Sequence, residues 1–406
     1  MSFKWEKFSK KQLDFIENST ARINLATGAV RSGKTIASIV RLLEYIKTAP
    51  EGKLLFAGKT TRTLKRNVLN IIRDIVGKHN YSYNQGMGEA KIFDRKIYIS
   101  GASDSRSTDK IQGLTLAGAY GDEISTWGKP FFNMLLSRCS VSGAKMFFTC
   151  NPKGQHHWLK TDFIDRQEQL DMKVFNFRLD DNLSLDEEYK ENLKREYSGV
   201  FYDRYIKGEW KQASGLIYDM FNKKEHVVNS TPEIKKKYVG VDVGSNNPTA
   251  FVLVGLGVDD NLYILKEYKH SGSDTMSSKT DSDYTEDFIQ WIGEHNPRWV
   301  AVDPSAKSMR LSLWRAKDKK ACLKNTIKAD NSVLDGIRNI SSLISKSKLY
   351  VHARCKETLK ELDSYSWDST AEARGEDKPL KESDHLMDAL RYSVMSMNNV
   401  LTRLLQ

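Results

Sequence analysis

The chain has 406 residues, 39% hydrophobic and 28% charged, a balance that suits two or three globular domains rather than a disordered or fibrous chain. No apolar run approaches bilayer length and the opening MSFKWEKFSKKQ lacks the apolar core of a signal peptide, so the expectation is an intracellular protein, neither membrane-bound nor secreted. An excess of 63 Lys and Arg over 52 Asp and Glu, formally +11, suits a polyanionic partner, and four cysteines without a CxxC pair indicate neither a zinc site nor a disulfide framework.

Near the start, Phe8 to Gln12 stands about one helix ahead of a glycine-rich stretch. The Gln12 amide has the donor and acceptor to match an adenine edge, although an exposed residue on a surface helix satisfies the spacing as well. The stretch itself, Ala26 to Ser38, carries Gly28, Gly33, Lys34 and Thr35 in the pattern GxxxxGK followed by Thr. An apolar run with Ile23 and Leu25 precedes it and a helical pattern from Ile36 follows, the context that a phosphate-binding loop requires. Backbone N–H groups around Arg31, Ser32 and Gly33 would cradle the phosphates of ATP, Lys34 would reach the terminal phosphates, and Thr35 would hold Mg2+.

Lys53 to Gly58 then reads as a strand, and Thr60 to Val76 as a basic helix with Arg62, Lys65, Arg66 and Arg73. That helix could track a nucleic-acid backbone or simply present a solvated charged face. Lys91 to Ser100 reads as a strand or a hairpin arm. In Leu116 to Glu123, a small apolar run ends in Asp122 and Glu123, which sets Asp122 at a strand's carboxyl end to hold Mg2+ through water and Glu123 to polarise the attacking water. A third strand, Lys145 to Cys150, leads into Asn151 and Pro152, where Thr149 and Asn151 could sense the terminal phosphate.

Ser198 to Asn222 is aromatic and punctuated by glycine rather than periodic, and reads as the crossing to a second domain. Beyond it, Lys237 to Gly244 is a strand whose apolar run holds Asp242, an expensive residue there unless a metal, an arginine or a hydrogen-bond network compensates it. Thr249 to Gly257 and Asn261 to Tyr268 complete an antiparallel meander of three strands. A helix over Thr285 to His295, a strand over Arg298 to Asp303, strand candidates at Leu323 to Asp330 and Lys348 to His352, and a final helix over Ser383 to Asn398 follow. On that helix Asp384 and His385 share a face with Asp388. The order describes an RNase H-like fold in which Asp242, Asp303 and Asp388 surround two Mg2+ or Mn2+ ions, which at roughly 3.5 to 4 Å apart activate water and stabilise the leaving oxygen of a phosphodiester. Asp384 could instead serve as a helix N-terminal residue.

These motifs, in this order, resemble the large terminase subunits of tailed bacteriophages. The likeness rests on the phosphate loop, the run ending in Asp122-Glu123, the Thr-x-Asn-Pro of Thr149 to Pro152, His157-Trp158, the Gly-Glu-Trp of Gly208 to Trp210, the VDxG of Val241 to Gly244, and the DHxxDAxRY of Asp384 to Tyr392. The resemblance implies an α/β protein with an N-terminal P-loop NTPase domain, a mostly parallel sheet with flanking helices, and a C-terminal RNase H-like nuclease domain. The expected limits are 1–210 for the ATPase, 211–232 for a linker and 233–406 for the nuclease. It further implies that Gln12 contacts adenine, that Thr149 to Asn151 couple hydrolysis to movement, and that Arg31 or Arg138, in cis or from a neighbouring subunit, compensates transition-state charge. Asp388 becomes the third nuclease ligand, His385 a neighbour that binds metal or assists proton transfer, and Glu267 a further carboxylate candidate. The loop 271–283 would guard the nuclease cleft or be an ordinary flexible loop.

The function so implied is ATP-driven packaging of double-stranded DNA into procapsids, with metal-dependent cutting of concatemers. Its partners would be the portal protein and a small terminase subunit, and its setting the host cytoplasm, as a monomer in solution and a ring on the portal. Two other classes fit parts of the pattern: a helicase-like ATPase and nuclease of repair or recombination, and a DNA-binding assembly factor with a vestigial nuclease.

Overall fold

The computed structural model describes residues 7–103, 107–244, 248–271 and 279–405. The chain divides into two compact units, one of Met1–Lys194, Gly199–Gln212 and Arg374–Glu376, the other of Arg195–Ser198, Ala213–Ala373 and Asp377–Gln406. Among the described residues no helix is long and apolar enough to cross a membrane.

The first unit is built on eight strands: β1 (Ile23–Gly28), β2 (Lys53–Gly58), β3 (Tyr81–Asn84), β4 (Glu89–Ile92), β5 (Arg95–Gly101), β6 (Leu116–Gly121), β7 (Lys145–Cys150) and β8 (Met172–Phe177). They lie in the order β3-β4-β5-β2-β6-β7-β1-β8, parallel from β5 to β8 with an antiparallel hairpin added at the β3 edge. Every residue of β1 and β6 is buried, as expected of parallel strands covered by helices on both faces. Alternate residues feed two cores, Ala26, Phe56, Tyr120 and Phe147 on one face and Leu25, Leu55, Ala119 and Phe148 on the other. The stretch read as a strand or a hairpin arm over 91–100 turns at Phe93, which takes a left-handed φ of 51°, and so contributes to both β4 and β5 of an antiparallel hairpin. The basic helix runs without interruption but changes pitch: Thr61–Leu64 and Asn70–Val76 are α-helical, and Lys65–Leu69 between them is a π-helical turn.

The second unit holds β9 (Val227–Val228), β10 (Ile234–Asp242), β11 (Thr249–Gly257), β12 (Leu262–His270), β13 (Trp299–Val302), β14 (Thr326–Lys328) and β15 (Leu349–His352) in the order β14-β13-β10-β11-β12-β15-β9. The meander β10-β11-β12 is antiparallel, while β13 runs parallel to β10 and β15 parallel to β12. Residues 213–232 pack into this unit: the Ile217 N–H donates to Tyr365 O at 2.8 Å, Tyr218 is buried, and β9 extends the sheet. The helix expected from Thr285 starts earlier, as Asp281–Ile292, because Thr280 and Asp283 form a reciprocal cap. Most of the proposed cleft guard, 272–278, lies outside the described residues.

The last major helix, His385–Met395, crosses β10 at Gly240, where a Cβ would stand 1.8 Å from Ala389 O. Only glycine permits that approach, and it brings the helix's first turn beside the end of β10. In the first unit Gly375 meets a comparable constraint: a Cβ there would stand 2.4 Å from His156 O, so a short segment from late in the chain lies on the loop after β7.

Candidate active sites

In the first unit the functional side chains gather at the carboxyl ends of β1, β6 and β7, where parallel sheets present their loops. Arg31, Ser32, Gly33, Lys34, Thr35, Asp122, Glu123 and Asn151 line one cleft of about 610 Å3. Lys34 Nζ donates to Gly28 O at 3.1 Å, Ala29 O at 2.5 Å and Asn151 Oδ1 at 3.0 Å, so its ammonium is held by its own loop and by the end of β7. Burial holds that ammonium below the ordinary lysine value, opposed by the nearby Glu123 carboxylate.

Asp122 accepts from Thr149 Oγ1 at 3.0 Å and from Asn67 Nδ2 at 3.4 Å. Glu123, in a left-handed conformation with φ of 57°, accepts from Asn151 Nδ2 at 3.3 Å on both oxygens. Burial raises both carboxyls above their ordinary values. The two residues after the β6 run and the two at the end of β7 are thus directly hydrogen-bonded.

Gln12 stands beside the phosphate loop. Its Oε1 accepts the Ser9 N–H at 3.0 Å in a capping box, and its Nε2 donates to Gly33 O at 3.4 Å, so both ends of the amide are engaged and the side chain buttresses the phosphate loop. Arg138 is not brought to the cleft. It ends the helix Lys129–Arg138, and the residues after it bond near Arg22 and Leu116, at the amino ends of β1 and β6. A six-residue strand, about 20 Å long, therefore separates it from the phosphate loop of its own chain. A role for Arg138 in cis is corrected by this placement. His157 caps the helix Trp158–Asp162, and its ring lies against Trp158 and Trp210 as packing.

Arg66, Asn67 and Asn182 also border the cleft, Asn182 Nδ2 donating to Arg31 O at 2.6 Å. None was legible as a residue of the nucleotide cleft. Arg66 and Asn67 reach inward from the π-helical turn, which charge patterning cannot reveal.

In the second unit Asp242 ends β10, Asp303 follows β13 and donates its N–H to Val241 O at 2.9 Å, and Asp388 projects from the first turn of His385–Met395. With Asp384 and His385 they line a cleft of about 690 Å3. His385 Nδ1 donates to Asp242 Oδ2 at 2.9 Å. Asp388 is gripped by Arg391 at 2.7 Å and Lys381 at 2.8 Å, and Lys381 reaches Asp384 at 2.9 Å. Burial, with the like charges of Asp388 and Asp303, pushes the Asp242 carboxyl up to about 6 against the His385 hydrogen bond. Burial would raise Asp388 too, but Arg391 and Lys381 outweigh it and hold that carboxyl below its ordinary value.

Among the described residues no three His, Cys, Asp or Glu side chains are closed into a ready metal-ligating set. The donors nevertheless fit a hard divalent cation: they are carboxylate oxygens on three separate elements, and the like-charge pressure on Asp242 is what such an ion relieves. Glu267 does not belong to the cleft. Its carboxylate accepts the Glu357 and Thr358 N–H groups at 3.0 and 2.7 Å and so caps the helix Lys356–Ser364. Glu361, which no motif singled out, does the same for the helix that carries Asp388, accepting the Leu386 and Met387 N–H groups at 2.8 and 3.2 Å.

Residues 25–224 match the family model described as terminase large subunit, T4likevirus-type, N-terminal, and residues 239–397 match that of the terminase RNaseH-like domain. The chain is 38% identical to the large terminase of the thermophilic bacteriophage D6E, with a TM-score of 0.84 over 97% of this chain and 99% of that one. The same large terminase solved in complex with ADP matches at 38% identity and a TM-score of 0.83, over 97% of this chain and 100% of that one. Its complex with ATP-gamma-S matches at 38% identity and 0.81, over 95% and 98%. A curated relative, the terminase large subunit of Escherichia phage T5, is 26% identical over 220 residues, 51% of this chain. The chain spans about half the length of that relative, 48%.

Proposed function

Because the chain belongs to the bacteriophage large terminase subunits, with an ATPase domain and an RNase H-like nuclease domain, we propose that it packages double-stranded DNA into procapsids at the expense of ATP and cuts concatemeric DNA with divalent metal. The observation that carries this reading is the presence, in one chain, of a connected Lys34, Asp122, Glu123 and Asn151 cleft and a separate Asp242, Asp303 and Asp388 cleft. We read 1–210 as the ATPase, 211–232 as the linker and 233–406 as the nuclease.

In the ATPase, Gly28 to Thr35 bind the phosphates, Thr35 and Asp122 would hold Mg2+, which when bound supplies charge compensation for the phosphates, and Glu123 polarises the attacking water. Thr149 and Asn151, bonded to Asp122 and Glu123, transmit the loss of the terminal phosphate. Arg31 serves the transition state in cis, and Arg138 is available to a neighbouring subunit's cleft in a ring on the portal. Gln12 meets adenine with the remaining lone pair of its Oε1 and the second N–H of its Nε2.

In the nuclease, Asp242, Asp303 and Asp388 would hold two Mg2+ or Mn2+ ions, which when bound supply an activated water and charge stabilisation for phosphodiester cleavage. His385 orients Asp242 and is placed to move a proton at its Nδ1. Arg391 holds Asp388 in register. The DNA, a portal protein and a small terminase subunit are the partners of this reading, in the host cytoplasm, with a monomer off the portal.

Plasmid cleavage by wild type and Asp242→Ala with Mn2+ or Mg2+, with ATP turnover followed in parallel, tests it. Cleavage lost in the variant while turnover persists is expected. Normal cutting by Asp242→Ala would remove the three-carboxylate site, and ATP-driven strand separation would favour the helicase-like class.

A further inference from the structure

The π-helical turn Lys65–Leu69 has a second face. Arg62, Lys65 and Arg66, spaced three and four residues apart and therefore on one side, line a hollow of about 390 Å3 with Tyr83 and Gln85 from the β3 hairpin. Among the described residues no carboxylate lines it. Lys65 Nζ lies 5.3 Å from the centre of the Tyr83 ring, and Arg62, Lys65 and Arg66 are exposed. Three cations supported by a hydroxyl and an amide are a donor set for phosphate oxygens.

The same turn faces the nucleotide cleft from its other side. Arg66 lines both hollows, its Nε donates to Asn67 Oδ1 at 3.0 Å, and Asn67 Nδ2 reaches Asp122 Oδ2 at 3.4 Å. π-helical turns are rare and concentrate at functional sites. Here the turn directs adjacent residues toward adjacent clefts.

We propose that this face binds the backbone phosphates of duplex DNA, and that its occupancy is linked to the nucleotide through Arg66 and Asn67. The inference rests on the reading of the chain as a DNA-moving ATPase. A phosphate that draws Arg66 outward alters the support that Asn67 gives Asp122, and by linkage a nucleotide bound at Asp122 alters the affinity for DNA. Contact through phosphates alone gives the sequence indifference that a motor on any genome needs.

The test uses full-length protein carrying Asp242→Asn, which leaves DNA uncut, titrated onto a short fluorescent duplex across a salt series with and without a non-hydrolysable ATP analogue. Adding Arg62→Ala and Lys65→Ala is expected to weaken binding and to reduce the slope of log K against log salt by about 2. It should also abolish the effect of the analogue on DNA affinity while ATP turnover without DNA stays unchanged. Lys10→Ala with Lys173→Ala removes the same charge at the opposite, β8 edge of the sheet and is expected to preserve the slope. If the Arg62 and Lys65 changes leave the slope intact, or the Lys10 and Lys173 changes lower it equally, the site is refuted while the motor reading stands. A parent protein that binds no duplex at any salt overturns both.

Discussion

Glu123 is half-buried at the mouth of the nucleotide cleft, and desolvation raises its carboxyl above the ordinary glutamate value. For such a group the folded state favours the proton, so its contribution to stability is present below the unfolded pKa and is lost as pH rises through the folded one. Polarising a water needs the opposite, ionised form. The acid limb of ATP turnover is therefore expected to lie above the usual glutamate range, and Glu123→Gln is expected to lower turnover about 100-fold or more at every pH, as a pH–rate profile of both proteins would read. Asp122, Glu123 and Asp242 were legible in the chain because a carboxylate in or just after a buried strand is conspicuous. Lys381 was not: it stands in a polar stretch, and only the fold sets its ammonium between Asp384 and Asp388. Arg138 shows the converse, an arginine of suitable type that the topology carries to the wrong end of its own sheet.

At the scale of elements, the nuclease cleft depends on how one helix meets one strand. Gly240→Ala would force a Cβ against Ala389 O and push His385–Met395 off β10, at a cost of about 1 to 3 kcal/mol. Because Asp242 and Asp388 sit on either side of that contact, cleavage is expected to fall by about 100-fold for a displacement near 1 Å, with ATP turnover unchanged. Paired nuclease and turnover assays would separate the two. The helix is also held by Glu361, itself paired with Lys269 at 2.8 Å. Glu361→Ala is expected to cost roughly 1 kcal/mol or more through the lost cap, and to impair cleavage further than that loss of stability explains. A thermal melt beside a cleavage rate measured well below the transition would show both. The strands carrying these residues could be drawn from apolar runs and period-two patterns, but the caps from Glu267 and Glu361 could not. Each joins residues some 25 or 90 positions apart, and no local pattern in the sequence marks either partner.

For the whole molecule, the two sheets have separate cores and separate ligands. Differential scanning calorimetry is expected to show a nucleotide analogue raising one transition and Mn2+ raising another, each by about 2.7 kcal/mol at a hundred times its dissociation constant. A single transition shifted equally by either ligand would contradict that independence. The order of the motifs was enough to read the two-domain architecture, because a strand, loop and helix around Gly33 and a meander followed by alternating elements around Asp242 are distinct local patterns. The partition of the chain was less accessible, since Arg374–Glu376 belong to the first unit although they lie deep in the second half. That segment rests at the loop after β7 through the close approach of Gly375 to His156. During biosynthesis the ribosome delivers it only after nearly the whole nuclease unit, some tens of seconds later at roughly 5–20 residues per second. The nascent first unit consequently lacks that contact until residue 375 has been made.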